Sequence, residues 1–363
     1  MKIPAFVLLL AAASQAAVIQ MDSARGDRLL ESQGCVQCHK FKGIGAGTAP
    51  DFGRVLDRGY TPADLVSAMW NHAPTMWATI KAKGVKTGDI DEQAAADLFA
   101  AFLSVRYFEA PGDAGRGKRL FEARTCSACH GLTSSPNPAA KPINQWQTLT
   151  DPAGIVGAMW NHSPDMRSEL AKSSLKWPEL SPQDLSDLLV YLRNAVRPAH
   201  AELPGFRVSQ SAAGADLFQS KGCIACHPNA KPPSRMTLTA VAAAMWNHAS
   251  LLKDKAPRID ADEMRALLGY YWGNRFLDVE GNAAHGRKLF RSKHCVTCHA
   301  GAGPGPDLAA KAGSYTAVTM LSALWGHGPD MLARMKDRKI AWPTFKAGEM
   351  EDLIAALNEK KAR

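Results

Sequence analysis

The sequence predicts a mostly α-helical protein made of four tandem modules, and three observations carry that prediction. A pentad, Cys-x-x-Cys-His, occurs four times and uses all eight cysteines. Each copy follows the same short apolar outline: Gly26-x-x-Leu29-Leu30, Gly117-x-x-Leu120-Phe121, Gly214-x-x-Leu217-Phe218 and Gly286-x-x-Leu289-Phe290. A second apolar stripe of helical period closes each segment. The closing stripes run through 97–103, 187–192, 267–271 and 352–357.

The elements follow in chain order. Residues 1 to about 16 read as a secretory leader, with Lys2 as the positive start, 6–13 as the apolar stretch and Ser14-Gln15-Ala16 as small residues for cleavage. That stretch is too short to span a bilayer, and no later run is long and apolar enough to do so. The remainder divides into modules at 17–110, 111–204, 205–278 and 279–363. Glycine inside a helix is unfavourable by about 1 kcal/mol. Its place in each opening helix therefore predicts a close backbone neighbour, and the closing helix is the candidate.

The pentads are Cys35-Val36-Gln37-Cys38-His39, Cys126-Ser127-Ala128-Cys129-His130, Cys223-Ile224-Ala225-Cys226-His227 and Cys295-Val296-Thr297-Cys298-His299. Two thiols three residues apart share one face of a helical turn. They can add to two vinyl groups of one porphyrin while the following histidine meets the iron, the signature of c-type haem attachment. Disulfides would not require a histidine after every pair. Zinc usually joins two such half-sites, whereas these lie 72 to 97 residues apart. Four covalently attached haem c groups are expected, with Cys35, Cys38, Cys126, Cys129, Cys223, Cys226, Cys295 and Cys298 as the attachment residues. His39, His130, His227 and His299 are the expected proximal ligands.

With the helical outline, these motifs resemble the class I cytochrome c fold, repeated four times over nearly all of the mature chain. The resemblance implies an extracytoplasmic site of assembly, periplasmic or otherwise outside the cytoplasm. The formal charge of +9 falls to +8 without Lys2, and eight haem propionates bring about −8. The basic composition thus matches the cofactors and does not call for nucleic acid. Modules two and four share Pro-Asp-Met, ten residues and Trp-Pro (Pro164 to Pro178, Pro329 to Pro343), which modules one and three lack. That alternation predicts two dihaem halves, one of modules one and two, the other of three and four.

The sixth ligand departs from the family pattern. Where a class I module carries Met-Pro, this chain has Trp177-Pro178, Trp342-Pro343 and, in module one, Thr87-Gly88. Indole nitrogen is only a donor and cannot ligate. A second repeat offers His72, His162, His248 and His327, each placed on the apolar stripe of a middle helix beside Trp70, Trp160, Trp246 or Trp325. These are the proposed distal ligands, because only histidine is present in all four. Met76, Met166 and Met331, four residues later, are the alternatives, and Leu252 stands at that place in module three. The prolines two residues after three of the histidines (Pro74, Pro164, Pro329) are expected to end the middle helices there. The tryptophans are expected to pack on haem edges or on neighbouring modules.

Two functions remain open at this level. One is a single-electron carrier between redox proteins or to a membrane-bound electron-transfer complex. The other is a haem enzyme or subunit with one open iron, in module three, acting on a peroxide or small inorganic substrate.

Overall fold

In the computed structural model, residues 21–41, 43–52, 61–104, 112–146, 149, 152–196, 212–228, 238–252, 256–277 and 280–359 are described. The expected leader and the joins at 105–111 and 197–211 lie outside them. No helix among the described residues is long and apolar enough to cross a membrane.

The described chain is helical, as expected, without a β-strand. It forms four units of one plan. A short first helix (α1 Ser23–Ser32, α4 Ala114–Ala123, α7 Ala212–Ser220, α10 Ala283–Ser292) leads into the pentad. A middle helix follows (α2 Pro62–Lys83, α5 Pro152–Lys172, α8 Leu238–Leu252, α12 Ala317–Asp337). A last helix (α3 Glu92–Ser104, α6 Pro182–Val196, α9 Ala261–Leu277, α13 Glu349–Asn358) returns across the first. In unit four the pentad itself makes a short helix, α11 Val296–His299.

The crossing explains the repeated glycine. A Cβ at Gly26, Gly117, Gly214 or Gly286 would overlap the carbonyl oxygen of Asp97, Asp187, Ala266 or Asp352 on the last helix. Three crossings carry a polar clamp as well. Asp97 accepts from Arg25 Nε at 2.7 Å and from the Asp22 backbone N–H at 2.7 Å. Asp187 does the same with Arg116 Nε at 2.7 Å and Asp113 N–H at 2.7 Å. In unit four His285 Nδ1 takes the place of arginine, 2.7 Å from Asp352. His285 is half-exposed yet engaged in this contact. Unit three has Ala213 and Ala266 at these places, so its crossing lacks this clamp and keeps instead the Lys221–Glu263 pair at the end of α7, 2.7 Å apart.

The packing between units corrects the expected halves. Unit one packs on unit four, through α2 and α3 against α12 and α2 against α13. Unit two packs on unit three, through α5 against α8 and α9 and α6 against α8. The sequence alternation is real, but the pairing it belongs to is first with fourth and second with third. Each pair combines a Trp-Pro unit with one that lacks it, because one interface accommodates one added indole ring: Trp177 stacks on Trp246 at 4.4 Å, and Trp342 on Trp70 at 5.1 Å.

Candidate haem sites

Each pentad opens on a left-handed residue: Gly34 (φ 71°), Thr125 (φ 60°), Gly222 (φ 77°) or His294 (φ 62°). This residue turns the chain out of the first helix. Thr125 and His294 hold the conformation without glycine's freedom, the kind of strain that clusters at functional sites. A single tight turn then brings the three functional side chains together. In every copy the second cysteine N–H bonds the first cysteine's carbonyl at 3.2 Å, and the histidine N–H bonds the same carbonyl at 2.9 Å. All eight thiols are free. Burial pushes the Cys35, Cys126 and Cys295 thiols up to about 11, so they are protonated at neutral pH and are not activated nucleophiles.

The pentad histidines are oriented from behind. His39 Nδ1 lies 2.8 Å from the Pro50 carbonyl, His299 Nδ1 3.0 Å from that of Pro306, and His130 Nδ1 3.4 Å from that of Lys141. A carbonyl only accepts, so Nδ1 carries the proton and Nε2 presents its lone pair. For His227 the residues that would provide such a carbonyl, 229–237, lie outside the described chain.

The middle helices bring the second set of histidines opposite. Ring centroids are 6.1 Å apart for His39 and His72, 5.9 Å for His130 and His162, 5.9 Å for His227 and His248, and 6.0 Å for His299 and His327. Two metal–imidazole bonds of about 2 Å each, plus the two ring radii, add to roughly 6 Å. All four pairs therefore fit an iron held between two imidazoles. Burial lowers His39, His130, His162 and His327 below the ordinary imidazole value, which keeps a ring lone pair on each unprotonated at pH 7.

The prolines do not end these helices. α2, α5 and α12 run on for nine, eight and eight residues beyond Pro74, Pro164 and Pro329. Proline deprives the carbonyl four residues earlier of its helix donor, and the fold supplies others. Trp342 Nε1 donates to Trp70 O at 2.9 Å, and Ser163 Oγ to Trp160 O at 2.7 Å. Histidine and methionine consequently share one face, one turn apart. Met166 and Leu252, in the same register, both pack against the apolar core, a place that accepts thioether or hydrocarbon alike.

The tryptophans beside the distal histidines, left between haem edge and neighbouring module, belong to the unit interfaces. Trp70 Nε1 donates to Pro343 O at 2.9 Å, Trp160 to Pro257 O at 2.7 Å, Trp246 to Pro178 O at 2.7 Å and Trp325 to Gly88 O at 2.9 Å. The asparagines that follow make a two-bond clasp, Nδ2 donating to and Oδ1 accepting from the backbone of one partner residue. Asn71 holds Phe345, Asn161 holds Ile259, and Asn247 holds Leu180. The partner segment in each case contains the place of the family's Met-Pro. Sequence reasoning missed these asparagines as interface residues. Their repetition beside histidine was the available signal.

Residues 114–195 match the protein family described as Cytochrome c, and residues 281–355 match the family described as Cytochrome C oxidase, cbb3-type, subunit III. The matched stretches correspond to units two and four. No curated protein and no solved structure matches the chain. Both matches are to cytochrome c domains, and they support covalent haem and haem-based electron transfer.

Proposed function

We propose that this chain is an exported tetrahaem c-type cytochrome that passes single electrons between redox partners outside the cytoplasm. The observation that carries the reading is the fourfold recurrence of one histidine pair at 5.9 to 6.1 Å, each beside two free thiols. Haem supplies the one-electron couple of its iron. The chain supplies the rest. The cysteines tether, the carbonyls of Pro50, Lys141 and Pro306 fix the proximal tautomer, and His72, His162, His248 and His327 close the opposite side. A haem held between such a histidine pair would offer substrate no position on its iron unless a histidine were displaced. Unit three, the candidate for an open iron, has the same pair spacing as the others, which favours the carrier over the enzyme. The subunit III description matched by unit four supports a redox complex as partner. The leader at 1–16 and the module boundaries at 110, 204 and 278 complete this reading.

Two measurements on mature protein test it. Mass spectrometry should find four haem additions and no leader. Low-temperature electron paramagnetic resonance of the oxidised protein should find only low-spin iron, with the His248→Ala variant converting one quarter of it. Fewer than four additions, or His248→Ala leaving the spectrum unchanged, overturns the count or the ligand.

A further inference from the structure

Three of the four distal helices are held by the asparagine clasp, and one is not. At the corresponding place in α12 stands Gly326, directly before His327. The partner segment of unit one still accepts the Trp325 indole at Gly88, but position 326 offers no side chain to bond Ile90, which lies in register with Phe345. A Cβ at Gly326 would meet nothing within 4 Å, so close packing does not require the glycine. Gly328, on the other side of His327, is required, since a Cβ there would overlap the Trp77 indole. His327 is thus flanked by two glycines and followed by Pro329, in a helix turn with one fewer side-chain tether than its three counterparts. Glycine and proline both weaken a helix locally.

We propose that unit four is the one haem site whose distal histidine yields to a small neutral electron-pair donor of the carbon monoxide type, the other three staying closed. This rests on the bis-histidine reading of the sites. An incoming donor gains nothing unless it displaces His327, and the energy opposing displacement is what the backbone around the histidine can resist. Asn71, Asn161 and Asn247 bolt that backbone to a neighbouring unit. Gly326 leaves it free to shift by a turn's local distortion, so the equilibrium between bound and displaced histidine lies further toward displacement in unit four than elsewhere.

The probe is carbon monoxide, titrated optically into the fully reduced tetrahaem protein, with low-spin character of the resting oxidised protein checked first. If that check shows a high-spin iron in the wild type, the bis-histidine reading fails. If it shows the low-spin signals of bis-histidine iron and not those of histidine–methionine iron, the count of bound carbon monoxide tests the inference alone. One equivalent is expected in the wild type and one in the His327→Ala variant, where binding occurs at the same haem without competition. The Gly326→Asn variant, with the clasp restored, should bind about tenfold more weakly, the equivalent of the two added hydrogen bonds. Asn161→Gly should create a second binding haem. No binding in the wild type, two equivalents in His327→Ala, or unchanged affinity in Gly326→Asn overturns the proposal.

Discussion

The interface of units one and four and that of units two and three are built from the same parts, yet they close differently. In both, a Trp-Pro tryptophan stacks on the tryptophan beside a distal histidine. In the first–fourth pair Trp342 also hydrogen-bonds Trp70 O, and that carbonyl is available because Pro74, four residues on, has no N–H to offer it. In the second–third pair Trp177 stacks closer on Trp246, but Ser250 stands where a proline would be and keeps its own N–H for Trp246 O, the ordinary helix bond. Trp177 Nε1 is left buried without a partner. A proline that looks like a helix breaker in sequence is, in the folded chain, what makes an acceptor for another unit.

The largest effect should come from removing the rings. Trp342→Ala loses a half-buried stack and leaves Trp70 O bare, and should destabilise its pair by about 3 kcal/mol. Trp177→Ala loses a stack but frees no acceptor and removes an unsatisfied donor, so about 2 kcal/mol is expected. Chemical denaturation followed by far-ultraviolet circular dichroism measures both. Equal losses would show that the Trp342 hydrogen bond contributes nothing.

Proline placement sharpens the same contrast. Ala244→Pro, at an exposed site in α8, should destabilise by about 3 kcal/mol. Ser250→Pro should be milder by about 1 kcal/mol, since it releases Trp246 O to the stranded Trp177 indole. If the two prolines are equally damaging, the acceptor account of Pro74 is wrong.

The parts legible from the chain alone were those whose cause is local. The pentad spacing fixes its turn, and a glycine recurring in four helices announces a close crossing before its partner is known. The middle-helix histidines stood out because apolar residues three and seven positions before each one set the helical face. Partnership was not legible. Trp177-Pro178 and Trp342-Pro343 sit in alternate repeats, and alternation is equally consistent with neighbours pairing in sequence or across it. The fate of Pro74 was also hidden, because the donor that stabilises its helix, Trp342, lies 272 residues from the carbonyl it serves. Local propensity cannot report a bond of that range.

The clasp itself should be worth less than the stacks. Asn161→Ala removes two hydrogen bonds and leaves the backbone of Ile259 unsatisfied at a partly buried interface, for an expected loss of about 2 kcal/mol. Asn71→Ala should match it, and Gly326→Ala, where no clasp exists, should leave the first–fourth pair unharmed. Amide hydrogen exchange read at α2, α5 and α12 distinguishes the three. A loss at Gly326→Ala equal to that at Asn71→Ala would remove the distinction on which the weak fourth clasp depends.

The smallest effect lies in the crossings, and acid exposes it. Burial alone would raise the carboxyl of Asp187, but hydrogen bonds from Arg116, the Asp113 N–H and Gln183, with the guanidinium charge, outweigh it and hold the group below its ordinary value. A carboxylate depressed in the folded state contributes stability that is full above its unfolded value, near pH 4, and fades as pH falls through the lower folded value. Asp187→Asn should therefore lower the melting temperature at pH 7 and converge with the wild type at pH 2 to 3. Unit three, with alanines at both clamp positions, lacks this carboxylate; the depressed one it keeps is Glu263, held by Lys221 and the Asp260 N–H at the end of the crossing. Acidification should thus erode protection more at the α4–α6 crossing, which has the buried Asp187 clamp, than at α7–α9. An equal acid response at both crossings would mean that the Asp187 clamp fixes geometry without adding pH-dependent stability.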